Sequence, residues 1–122
     1  MAVTNIDIAV PSGAKRYSNT DCNATKDAVK ASSGTLYALV LDNTANAAAS
    51  YVKLWDVASG DVTVGTTAPD WIFKLPASTS VTFVIPAGEA FGTALTIACV
   101  TTAGTAGTTG PTSDVVAQLV YA

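Results

Sequence analysis

The sequence contains no histidine, and only 12% of its 122 residues are charged. Histidine is the commonest general base and the commonest metal ligand, so its absence removes the usual centre of a hydrolytic or metal-dependent site. A cysteine nucleophile would also lack its usual basic partner. The side chains left for acid–base chemistry are carboxylates, and the candidates among them are Asp56, Asp61, Asp70 and Glu89.

Each of these four carboxylates lies beside a turn signal, where aspartate is favoured for backbone hydrogen bonding alone. Two of them would suit the acid and base of a sandwich-type glycosidase. Asp56, Asp61 or Asp70 would alternatively suit a calcium site at the turns of a sandwich. Neither alternative has a supporting loop pattern. We therefore predict a protein that is not an enzyme, with no catalytic residues and no metal or cofactor.

Charge of one sign is also scarce, since the net charge is −3 and the one adjacent basic pair is Lys15-Arg16. Binding a nucleic-acid backbone requires clustered lysine and arginine, so we expect no nucleic-acid partner. The longest run of large apolar residues, Leu36–Leu41, is far too short to span a bilayer, and residues 1–10 do not resemble a signal peptide. We therefore expect no membrane partner and synthesis in a cytoplasm. A surface with so few charges is poorly protected against association, which favours a homo-oligomer.

Cysteine is limited to two residues, Cys22 in a polar segment and Cys99 in an apolar one. Two cysteines are too few for a disulfide framework, and their spacing matches no metal-binding pattern. Because disulfides are rare in cytoplasmic proteins, we expect both to be free thiols.

Short apolar segments rich in β-branched and aromatic residues are abundant, and Pro, Gly, Ser and Asp bound them. The predicted strands are 27–31, 35–41, 51–55, 62–64, 71–75, 81–85, 95–100 and 114–121. Short strands at roughly ten-residue spacing predict an all-β fold, an antiparallel β-sandwich or jelly roll of about eight strands. Residues 1–20 are predicted to form an N-terminal arm or edge strand, and residues 21–122 the sandwich domain.

Alternation along these strands assigns one face of each to the core. The predicted core residues are Leu39, Val52, Leu54, Ile72, Phe83, Ile85, Leu95, Ile97 and Val116. Lys53 marks the opposite face of its strand as the wetter one. Residues 62–64 are predicted to return as the second strand of a hairpin, and Pro86 to close the strand before it. The Thr-, Gly- and Ala-rich loop 101–113 is predicted to be mobile and dispensable for folding.

Three aromatic residues, Tyr51, Trp55 and Trp71, permit two interpretations. If all three faced solvent on one side of a sheet, they would form a platform for stacking on sugars. The favoured interpretation is that a chain with only 7% aromatic residues uses them for core volume or a subunit interface.

The arrangement of strands and turns resembles that of small virion proteins of tailed phages. The segments that carry this resemblance are Gly34-Thr35-Leu36-Tyr37, Tyr51-Val52-Lys53-Leu54-Trp55, Pro76-Ala77-Ser78-Thr79-Ser80-Val81, Pro86-Ala87-Gly88-Glu89-Ala90-Phe91, and Asp114-Val115-Val116 with Tyr121. The resemblance covers roughly residues 30–122 and implies a capsid decoration, or cement, protein. It implies a β-sandwich subunit, often a homotrimer, that lies on the capsid surface and clamps neighbouring major capsid proteins. The alternative is a carbohydrate- or receptor-binding module of a phage particle, which requires the aromatic platform.

Overall fold

The computed structural model describes residues 13–122, and β-strands make up nearly all of their regular structure. Within this range the chain forms eight strands: β1 (Lys15–Cys22), β2 (Asp27–Lys30), β3 (Gly34–Asp42), β4 (Ser50–Trp55), β5 (Trp71–Leu75), β6 (Ser80–Phe91), β7 (Leu95–Val100) and β8 (Val115–Tyr121). A 3₁₀ turn at Ser59–Asp61 lies between β4 and β5. The prediction of an all-β fold is confirmed.

The strands form two antiparallel sheets of four strands each. Sheet A has the order β1-β8-β3-β6, and sheet B has the order β2-β7-β4-β5. Their inner faces share one hydrophobic core, to which β3 and β8 contribute from sheet A and β4 and β7 from sheet B. This is a β-sandwich, in which each sheet has one face on the core and one face outside it.

The register decides which predicted core residues lie inside. Leu39, Val52, Leu54, Leu95 and Ile97 are fully buried, as predicted. The other predicted core residues are less buried. Phe83 and Ile85 are half-buried against the core, Val116 is half-buried, and Ile72 is 40% exposed.

The assignments of Ile72 and Val116 to the core are wrong. Ile72 lies opposite Lys53 and faces outward, whereas its neighbour Trp71 lies opposite Leu54 and packs on the core. Val116 lies between Val115 and Ala117, both fully buried, and faces outward. Each of these strands has apolar residues of both parities, so alternation alone cannot choose the inner face.

β6 does not end at Pro86 as predicted but continues to Phe91. Ala38 of β3 pairs with Val84, yet Leu36 pairs with Glu89, so a bulge in β6 lies opposite Tyr37. The bulge tolerates Pro86 because β6 is an edge strand and the proline's missing N–H is not needed by a neighbour. Gly88 has φ +76°, and a Cβ there would lie 2.4 Å from the Thr35 methyl group, so the bulge requires glycine.

The predicted strand at residues 62–64 is absent from the described chain, where the 3₁₀ turn leads into an irregular loop instead. The antiparallel partner of β4 on this side is β5. Val62 does not pair in a sheet but is buried against Trp55. Ser59-Gly60-Asp61 therefore forms a turn, but not the turn of a hairpin.

β1 lies at the edge of sheet A and pairs with β8, starting from Lys15 opposite Tyr121. It runs from residue 15 to residue 22, across the division predicted at residue 20. The alternating residues Val3, Ile6, Ile8 and Val10 of the predicted arm lie outside the described residues.

Different chemistry closes the two open sides of the sandwich. On the side formed by β1 and β2, the Tyr17 hydroxyl donates to the Asp27 carboxylate. Burial, followed by this hydrogen bond, raises the pKa of Tyr17 above its ordinary value. On the side formed by β5 and β6, the rings of Phe73 and Phe83 pack with centroids 4.8 Å apart. A hydrogen bond therefore joins the two sheets on the β1–β2 side, and an aromatic pair joins them on the β5–β6 side.

Candidate interaction surface

The outer face of sheet B is covered by the chain's own loop between β4 and β5. Trp55 points into this loop and is fully buried with Val62 and Ala98, forming a small second core. The indole N–H of Trp55 donates to the carbonyl of Thr67 at 2.9 Å. The outward-facing Trp55 and Ala98 of the central strands β4 and β7 are thus hidden inside the subunit, whereas Ile72 on the edge strand β5 is 40% exposed.

The loop 101–113 covers the next part of the same face. The Lys53 amino group lies beneath it and donates to the carbonyl of Ala106 at 2.9 Å. Lys53 has no exposed area, so the prediction that it marks the wetter face is wrong. Burial lowers the pKa of the Lys53 amino group. That the loop is dispensable for folding stays a prediction, and its packing on Lys53 gives a physical reason to test it.

The three candidate platform aromatics do not share a face. Trp55 is fully buried on the outer side of sheet B, and Tyr51 is half-buried on that same side. Trp71 is directly opposite Leu54 and packs on the inner core. Both tryptophans therefore contribute to hydrophobic clusters, as the favoured interpretation predicts, and they do not form a platform with Tyr51.

Within residues 13–122, loops cover the central strands of sheet B, but no loop covers the outer face of sheet A. The two most exposed large apolar residues on it are Val40 (38%) and Val84 (44%), on the neighbouring strands β3 and β6. We call this surface the open face and define it by the outward residues Val40, Thr82, Val84, Val116, Gln118 and Val120.

Charge is confined to the margins of the open face. The register aligns Arg16 with Val120 at the β1 edge, and Asp42 with Val116 at the opposite end of β3. Between these two residues the rows contain Val, Ala, Thr, Ser and Gln. A sheet face with exposed valines and nearly no charge is suited to contact with another protein surface.

Four carboxylates were candidates for catalysis or for calcium, and the structure engages two of them in the backbone. The Asp56 carboxylate accepts from the N–H groups of Gly92 (2.8 Å), Thr93 (2.7 Å) and Ala94 (3.2 Å). The Asp70 carboxylate accepts from the N–H of Asp56 at 2.7 Å. Together they fasten the end of β4 to the turn between β6 and β7 and to the start of β5.

The electrostatics of Asp56 follow from these contacts. Burial alone would raise its pKa, but the three backbone N–H groups outweigh that effect and lower it below the ordinary value. An ionised carboxylate whose oxygens already accept from backbone N–H groups stabilises the fold by joining two segments of the chain. Among residues 13–122, no group of three or more His, Cys, Asp or Glu side chains is placed to hold a metal ion.

A buried polar cluster lies at the β3–β4 loop, and its side chains are not among the candidate residues predicted from the sequence. Its centre is Asn43, whose amide oxygen accepts from Asn46 (2.8 Å) and from the Ser50 hydroxyl (3.0 Å). Asn46 in turn exchanges two hydrogen bonds of 2.8 Å with the backbone of Ser113.

The amide nitrogen of Asn43 donates to backbone carbonyls of two further segments. The acceptors are Ala48 (3.1 Å), Pro76 (3.0 Å) and Leu75 (3.3 Å). The cluster therefore joins the β3–β4 loop, the β5–β6 turn and the end of loop 101–113. Asp42-Asn43-Thr44 is a sequence that favours a turn, but most of the partners of Asn43 are distant in sequence.

A shallow cleft of about 250 Å³ lies between the β3–β4 loop and loop 101–113. Small side chains line it, including Ala47, Ala49, Thr101 and Pro111, and none of its lining residues is titratable. Such a cleft offers shape but no reactive group.

Comparisons with family models, with curated proteins and with solved structures found no match. Within residues 13–122, no helix has the length and apolar character needed to cross a membrane.

Proposed function

We propose that the protein is a non-enzymatic structural protein of a virion, a capsid decoration or cement protein that binds the lattice of the major capsid protein. The observation that carries this proposal is the contrast between the two outer faces of the sandwich. Loops cover the central strands on the outer face of sheet B, whereas the open face of sheet A exposes Val40 and Val84. The resemblance in strand and turn pattern to small phage virion proteins supplies the kind of partner.

The open face suits a broad and static contact. Removing aliphatic side chains on a sheet from water gives a favourable free energy of binding. Because the open face itself carries almost no charge, a partner that covers it buries no unpaired ion there. The polar clusters described above are turned inward and used in the fold. The chemistry of the surface thus favours adhesion rather than turnover.

Many weak contacts would add up on a lattice. If the subunits associate as a homotrimer, each trimer presents three open faces, and binding of the first raises the effective concentration of the others. A modest affinity per subunit is then sufficient to clamp neighbouring capsid proteins. The protein would lie on the capsid surface of virions assembled in a bacterial cytoplasm.

The proposal is tested by adding purified protein to capsids that lack it and measuring the bound amount by co-sedimentation. We expect stoichiometric binding. Val84→Lys and Val84→Glu should each weaken it at least about tenfold, equivalent to about 1.4 kcal/mol, because both bury a charge at the contact. Since the two variants differ in sign, a loss with both separates burial from long-range electrostatics.

Ile72→Lys is the matched control, because Ile72 is an equally exposed apolar residue on the outer side of sheet B. It should bind like the unmodified protein. Equal loss with Ile72→Lys would place the contact elsewhere, and absence of particle binding together with retention on a polysaccharide column would favour the carbohydrate-binding alternative.

A further inference from the structure

The two cysteines come from different sheets and meet in the core. Cys22 is the last residue of β1 in sheet A, and Cys99 lies in β7 of sheet B. Both belong to the shared hydrophobic cluster, with exposures of 1% and 0%. Both are free thiols in the structure.

The backbone brings the two residues together. The N–H of Cys99 donates to the carbonyl of Asn23 at 2.8 Å, directly after Cys22, where the chain passes from β1 towards sheet B. Both side chains lie in the one hydrophobic cluster between the sheets, so the residue next to Asn23 on one sheet and Cys99 on the other are neighbours in the core. Two thiols that are neighbours across a sandwich are placed for a covalent link between its sheets.

The folded core protects both thiols from reaction. The contact with Cys99, followed by burial, raises the pKa of Cys22 well above its ordinary value. Thiol–disulfide exchange requires a thiolate to reach a disulfide, and neither buried sulfur is accessible to one in the folded protein. The pair is therefore inert until the chain opens.

We propose that Cys22 and Cys99 form an intramolecular disulfide that joins the two sheets whenever the chain folds, or transiently opens, in the presence of a low-molecular-weight disulfide such as oxidised glutathione. In the opened chain one cysteine thiolate attacks the glutathione disulfide, giving a mixed disulfide and releasing one glutathione thiolate. The second cysteine thiolate then attacks the protein sulfur of that mixed disulfide and releases the second. The protein loses two electrons and two protons, and one oxidised glutathione becomes two reduced ones.

The link would act mainly on the unfolded chain. It closes nearly all of the chain between β1 and β7 into one loop, and long loops restrict the unfolded ensemble most. In the native core the link joins two side chains that are already neighbours in one buried cluster. We therefore expect oxidation to raise thermal stability without changing the fold.

The experiment unfolds the full chain in denaturant and refolds it in an oxidising glutathione buffer, with a reducing buffer in parallel. Intact mass should fall by about 2 Da in the oxidised sample, corresponding to two hydrogens, and no accessible thiol should remain after denaturation. The melting temperature should rise by roughly 10 °C relative to the reduced sample. Folded protein placed in the same oxidising buffer should convert only as fast as it unfolds.

Cys22→Ala and Cys99→Ala are the controls. Each variant is compared with itself in the two buffers, so that its own loss of core packing cancels, and neither should show a rise in melting temperature. Refolded protein that keeps two thiols, or that forms only disulfide-linked dimers or glutathione adducts, would overturn the proposal. Because no particle is involved, the result is independent of the proposed function.

Discussion

At Asp56 one carboxylate satisfies three consecutive backbone N–H groups, those of Gly92, Thr93 and Ala94. Asp56→Asn keeps the size of the side chain but removes its charge and one acceptor. We expect a loss of about 1 kcal/mol in the free energy of unfolding, since charge-assisted bonds are worth more than neutral ones but this site is partly exposed to solvent. Urea denaturation at pH 7 measures it, with the exposed Asp61→Asn as control.

The same carboxylate predicts a pH dependence. Its folded pKa is lowered, so its stabilising contribution is fully present above the unfolded pKa of about 3.9 and is lost as the pH falls through the folded pKa. The stability difference between the unmodified protein and Asp56→Asn should therefore shrink below about pH 4. A difference that stays constant from pH 7 to pH 3 would contradict this role.

Asn43 makes the strongest prediction for a single residue. Asn43→Ala would leave the carbonyls of Leu75 and Pro76 and the amide of Asn46 without their buried partner, so we expect a loss of about 2 to 4 kcal/mol. Ser50→Ala removes only one bond to the same cluster and should cost about 1 kcal/mol. Chemical denaturation of both variants tests the ranking, and equal losses would show that the cluster is not centred on Asn43.

These residues show where sequence reasoning ends at the residue scale. Asp56 lies beside a turn signal and Asn43 lies in a sequence that favours a turn, but neither pattern reveals hydrogen-bond partners more than thirty residues away. The solvent-facing position predicted for Lys53 is wrong for a related reason. A lysine in an alternating strand usually marks solvent, and only the position of loop 101–113 makes it a buried residue.

At the scale of elements, the strands were predictable and their faces were not. β5 and β7 have the predicted bounds, because short β-branched and aromatic runs between turn residues fix them. The inner face of β5 could not be predicted, since Trp71, Ile72 and Phe73 are all apolar. Only the pairing with β4 decides which of these side chains face the core. Pro86 predicts a strand end because proline is tolerated inside a strand only at a sheet edge or a bulge. The edge position of β6 is a property of the whole sheet, so the local sequence does not reveal it.

Loop 101–113 gives the prediction at this scale. Thr101 N–H donates to the Thr109 carbonyl at 2.9 Å, so the two ends are close and residues 102–108 can be replaced by Asn-Gly. The replacement would uncover Lys53 and remove its bond to Ala106, and we expect a loss of about 2 kcal/mol.

The measurement is the urea midpoint of the shortened protein, with Ala103→Ser as a control that keeps the loop length at an exposed position. The composition of the loop alone predicts almost no change, because it contains no large apolar residue. A midpoint equal to that of the unmodified protein would therefore support the composition-based prediction and show that the packed loop contributes little.

For the whole molecule, the two sheets leave edge strands at both sides of the sandwich: β1 and β6 in sheet A, β2 and β5 in sheet B. Edge strands carry backbone groups that can pair with another chain. The segment at residues 1–13 alternates apolar residues but is too short to form a core of its own. It is therefore suited to adding a strand to a neighbouring subunit.

We accordingly predict a homotrimer whose assembly depends on this segment. Light scattering should give a trimer mass for the full chain and a smaller mass after deletion of residues 1–13, because main-chain pairing with a neighbour is lost. The deleted protein should keep its fold, since the described core does not use these residues, and circular dichroism checks this. Capsid binding should weaken in parallel, as loss of multivalency removes the gain in effective concentration. A full chain that is strictly monomeric yet binds capsids stoichiometrically would show that the open face acts without assembly.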